Sequence, residues 1–104
     1  MKLLMVTVVE DFHNDVLHMF KQAEINNFSE SEIGGHKSPS SILSSSNWFS
    51  SEKSETQSNI FFSFTEDKNI DVLFKILKEY NNNIETNNPV HAVVLPIEKT
   101  LNDY

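Results

Sequence analysis

The chain contains no cysteine, which excludes a disulfide framework, a zinc ribbon and a thiol nucleophile. Basic residues are scarce: 8 lysines, with no arginine, stand against 15 acidic residues, for a net charge of -7. Nucleic acid is recognised first through its phosphates, which attract basic surfaces, so a nucleic-acid partner is not expected. Long apolar runs are also missing. No segment approaches the roughly 20 apolar residues that span a bilayer, and no direct membrane insertion is expected. The opening MKLLMVTVV is apolar but short, with Glu10-Asp11 where a leader would need small residues, so it reads as a strand rather than a signal peptide. A cytoplasmic location is the expectation. A length of 104 residues allows one domain, near the lower limit for folding alone, so self-association is the default.

What is present organises itself around one polar stretch. Ten residues from Lys37 to Ser58 are serine, leaving little apolar surface to offset the entropy of ordering. The only tryptophan stands in its middle as Trp48-Phe49. Unstructured loops of this length are uncommon in small domains and usually carry function. The two flanking halves match in design. Leu3–Val9 is β-branched and almost continuously apolar, which predicts a central strand. Phe12, Val16, Phe20 and Ala23 then recur at helical spacing, with Asp11 or Asn14 available as caps and Asn26-Asn27 as a terminating turn. Phe28–Gly35 predicts a weaker, acidic edge strand. After the polar stretch, Asn59–Thr65 alternates as a strand. Ile70, Leu73, Phe74, Leu77 and Tyr80 mark a helix over 69–80, and Val90–Leu95 a final strand stopped by Pro96. The order β-α-β, arm, β-α-β predicts an α+β, ferredoxin-like domain of residues 1–104: a four-stranded antiparallel sheet with both helices on one face and strands one and three inside. The other sheet face, with Phe61 or its alternates on it, is left without helices, and burial between subunits is the simplest remedy.

At SEIGGHK and VHAVVLPIEKTL the chain resembles the PII-like signalling proteins, trimeric ferredoxin-like regulators. The resemblance spans nearly the whole chain. It implies a homotrimer and identifies the arm, residues 37–58, with the family's T-loop, which contacts target proteins. It further implies a ligand cleft between subunits, built here from Gly34, Gly35, His36 and Lys37 with Asn88, Val90 and His91. The turn Asn81–Val90 has neither glycine nor lysine, whereas phosphate binding needs close backbone approach and positive charge, so ATP is expected to bind weakly or not at all. The glycine-histidine at the arm's base is similar to a divergent subgroup associated with heavy-metal efflux, which implies a membrane transporter as partner.

Candidate chemistry is sparse. His13 and His18 lie five apart on one helix, facing different ways, and read as surface residues. His36 and His91 fall at the same rim, and a divalent metal shared between subunits is the one metal site they suggest. Trp48 and Phe49 read as an anchor for a partner pocket or as a cover for the chain's own sheet. No serine has a base and an orienting acid at a meaningful spacing, so no enzyme activity is expected. The alternatives are a small ferredoxin-like enzyme using the open sheet face and a metal-binding module similar to the trimeric CutA proteins.

Overall fold

The computed structural model describes residues 1–36 and 55–102. Strand β1 (Lys2–Val9) runs through one 3-10 turn (Glu10–Phe12) into helix α1 (His13–Gln22). Strands β2 (Ser29–His36) and β3 (Glu55–Thr65) follow, then helix α2 (Asp67–Asn83) and strand β4 (His91–Pro96). The four strands form one antiparallel sheet in the order β2-β3-β1-β4. The inner places fall to β1 and β3, the two strands richest in Val, Leu, Ile and Phe, because an inner strand is covered by neighbours on both sides.

The pleat divides β1 between two environments. Leu4, Val6 and Val8 are buried on one face, which carries Phe61 opposite Val6. The buried residues of α1 (Val16, Met19, Phe20) and of α2 (Ile70, Leu73, Leu77) join these strand residues in a single core. Phe20 and Phe61 are fully buried within it, and the partly buried Phe28 packs against both. The Phe20 ring lies 4.9 Å from Phe28 and 5.4 Å from Phe61, and Phe28 lies 5.8 Å from Phe61, within the range of favourable tilted and edge-on aromatic pairs. Phe61 is therefore fully buried on the helix-covered face, and its neighbour Phe62 is the one on the open face.

Helix ends are closed by means other than those the sequence suggests. The positions before α1 and α2 are Phe12 and Glu66, and neither side chain caps. Asp67 instead pairs with Lys2 at 2.8 Å, and Asn69 donates to the Ala23 carbonyl at 3.1 Å, tying the start of α2 to the end of α1. Helix α1 stops before Asn26-Asn27. Glu24 turns to φ 58°, its N–H reaching the Lys21 carbonyl and that of Ile25 reaching Phe20. This is the Schellman pattern, usually built on glycine. Helix α2 runs on to Asn83, past the turn expected from Asn81. The Asn81 amide donates to the Val90 carbonyl at 2.9 Å and accepts from the Val90 N–H at 3.0 Å. That side chain acts as one rung of a ladder, fixing the approach to β4.

Strand β3 begins at Glu55, four residues before the alternating segment and inside the stretch assigned to the arm. The cause lies in β2, which supplies partners as far as His36, paired with Glu55. The rest of the arm falls outside the described residues.

Candidate functional site

Three cross-strand rows define the open sheet face. Leu3 lies between Phe64 and Leu95, Met5 between Phe62 and Val93, and Thr7 between Ile60 and His91. The first two rows are wholly apolar. Phe62, Val93 and Leu95 remain 38%, 37% and 40% exposed, among the largest exposed apolar side chains of the described residues. Contiguous apolar surface of this kind marks an interaction site more often than a free surface. The third row mixes the apolar Ile60 with two polar residues and is largely shielded: Thr7 is buried, and its Oγ1 has no hydrogen-bond partner. Burial pushes the His91 imidazole below the usual histidine range, because desolvation disfavours its charged form. A neutral imidazole suits an apolar contact surface.

At the end of this sheet, β2 and β3 continue as a two-stranded ribbon. Val9, the last residue of β1, pairs with Ser58, so Gly34, Gly35 and His36 have only Gln57, Thr56 and Glu55 beside them. Neither glycine takes a positive φ. Both lie in extended ladder positions rather than in the bulge or turn that a glycine pair suggests. The ribbon leads directly into residues 37–54, so Lys37, Trp48 and Phe49 lie outside the described residues.

On the far edge, the turn before β4 places Asn88, Val90 and His91. The Asn88 N–H donates to Thr86 Oγ1 at 2.9 Å, while Asn88 Oδ1 is buried without a partner. Val90 is buried in the core. His91 stands level with Ser31 on β2, three strands across and five residues short of His36. At sheet spacings this separates His36 from His91 by roughly 20 Å within one chain. Among the described residues no three His, Asp or Glu side chains converge on a metal position. The cleft and metal residues expected from the sequence are therefore not gathered in one protomer, and only a second copy could bring them together.

His13 departs from the surface reading. Its Nε2 meets Glu30 Oε2 at 2.6 Å and its Nδ1 meets Asn14 Oδ1 at 3.3 Å. Both ring nitrogens face oxygen acceptors, an arrangement satisfied in full only by the doubly protonated ring. The ring also stacks on Phe61 at 5.4 Å, where a cation gains from the aromatic face. The Glu30 hydrogen bond accordingly raises the His13 pKa above the usual histidine range. Nothing in local spacing announces this pair, since its partners are 17 residues apart and meet only because the fold brings the first residue of α1 beside β2.

Comparison with protein-family models and with curated proteins finds no match. No helix among the described residues is long and apolar enough to cross a membrane.

Proposed function

We propose that this chain is a non-enzymatic, PII-like regulatory protein that assembles as a homotrimer and binds a target protein through residues 37–58. The carrying observation is the open sheet face, with its apolar rows through Leu3 and Met5 and the exposed Phe62, Val93 and Leu95. Inner places for β1 and β3, with one core shared by both helices, support the ferredoxin-like arrangement in its finer form. The ribbon supports the signalling role. It extends past the end of β1 and leads into the segment to which the contact role of Trp48 and Phe49 is given. A membrane transporter, of the metal-efflux kind, is the target class that the resemblance suggests. In this arrangement Gly34, Gly35, His36 and Lys37 of one subunit approach Asn88, Val90 and His91 of the next.

The test is co-purification from cells expressing the tagged protein. Replacing residues 38–54 by a short Gly-Ser linker should remove a specific partner while leaving thermal stability and assembly unchanged, because the strand pairing from His36 to Glu55 remains. Trp48→Ala with Phe49→Ala should have the same effect. Retention of the partner by both variants contradicts the role given to the arm.

A further inference from the structure

At the end of the sheet where β1 begins, strand β3 outruns its neighbour. Strand β2 starts at Ser29 opposite Phe62, so Ser63, Phe64 and Thr65 continue past it. The turn after α1 is tied to this overhang, because the buried Ser63 donates its Oγ–H to the Asn27 carbonyl at 2.5 Å. Turn and strand enclose a cleft of about 460 Å³, lined by Phe28, Phe62 and Phe64 together with Asn26, Asn27 and Ser29. Among the described residues its lining carries no charge, so an uncharged, apolar group suits it. Phe62 and Phe64 also belong to the rows of the open face, which makes the cleft continuous with that apolar surface.

The same end of the sheet releases a segment with a matching group. Strand β4 stops at Pro96, level with Lys2 of β1 and Thr65 of β3. Leu101 follows five residues later and is 96% exposed, the most exposed large apolar side chain among the described residues. Its neighbours Thr100 and Asn102 are uncharged. Burying a leucine side chain is worth roughly 10–100-fold in affinity. The cleft of its own chain is nevertheless out of reach. By strand spacing, Phe62 and Ser29 lie roughly 14–17 Å from Pro96, across the sheet and back along it. Five residues span at most roughly 18 Å when fully extended. The chain leaves β4 heading off the end of the sheet and would have to reverse, so no slack remains for the crossing.

We propose that Leu101 of one copy docks in the cleft formed by Phe28, Phe62 and Phe64 of a second copy. The contact is heterologous, a segment of one chain in a cleft of the next, and contacts of this type close into rings when the rotation between copies permits. It deepens the trimeric reading given above and rests on it for the number of copies.

Cross-linking of the intact chain tests the contact, because the chain has no cysteine of its own. Ser29→Cys and Asn102→Cys, both at exposed positions, are introduced together and the protein is oxidised at micromolar concentration. Chains joined in covalent multiples should appear at least about tenfold faster than with Lys75→Cys and Asn102→Cys, a control pair whose first member is exposed on α2. Adding Leu101→Ala to the first pair should bring its rate down to that of the control. Bonds formed within single chains, a rate equal to the control's, or a rate untouched by Leu101→Ala would each overturn the proposal. Sedimentation of the wild type separates this contact from the trimer itself. A trimer without preferential joining removes the contact alone. Preferential joining in an assembly of another size keeps the contact and removes the trimer.

Discussion

Glu24 and His13 show how much single residues depend on neighbours that the sequence does not place beside them. Glu24 is the described non-glycine residue with a positive φ, and its backbone closes α1. An L-residue with a Cβ takes this conformation at a cost of about 1 kcal/mol. Glu24→Gly is therefore expected to stabilise the fold by about that amount, a rise of roughly 4–8 °C in melting temperature for a domain of this size. An unchanged or lower melting temperature would show that the Glu24 side chain has a compensating contact. His13 provides a pH test. Its folded pKa lies above the unfolded value because Glu30 accepts from the charged ring. The stabilisation is full below the ordinary histidine pKa of about 6.5, provided Glu30 stays ionised, and disappears as pH rises through the folded pKa. Both partners are partly exposed, so the gain is no more than about 1 kcal/mol. Thermal melts of wild type and His13→Gln should differ near pH 6 and converge near pH 9.

At the scale of elements, an apolar β-branched run located the first strand, alternation the third and helical periodicity both helices, and polar pairing set the boundaries that these signals missed. Leu3–Val9 is almost continuously apolar and β-branched, and Phe20, Leu73 and Leu77 fall at helical spacing, so these elements were legible in the chain, whereas the face to which each β1 side chain points was not. Glu55, Thr56, Gln57 and Ser58 have no apolar alternation. They become strand only because β2 lies alongside, a long-range cause that local composition does not record. Asn81 is a similar case: in sequence it begins a run of three asparagines, and in the fold it forms the two bonds to Val90. Asn81→Ala should cost about 1–2 kcal/mol, since it removes two partly buried hydrogen bonds. Urea unfolding should show a lower midpoint with an unchanged slope. Gly34, His36, Asn88 and His91, expected to line a cleft, were legible as ends of elements and not as a site, because a single protomer separates them across the sheet.

For the whole molecule the account turns on the second face of the sheet. The helices cover one face and give the core its phenylalanines, while rows through Leu3 and Met5 leave the other apolar and partly exposed. A chain of this size gains stability by burying such a surface against copies of itself. A lysine at the centre of the face would have to be desolvated on assembly, which is strongly unfavourable without a partner charge. Phe62→Lys with Val93→Lys is therefore expected to yield a folded monomer with native-like circular dichroism. The most direct test is the mass of the wild-type protein in solution, measured by sedimentation equilibrium at micromolar concentration. The account predicts a single species at three times the 12.0 kDa chain mass, reduced to one chain by the double lysine variant. A wild-type monomer with the same melting temperature as the variant would contradict it.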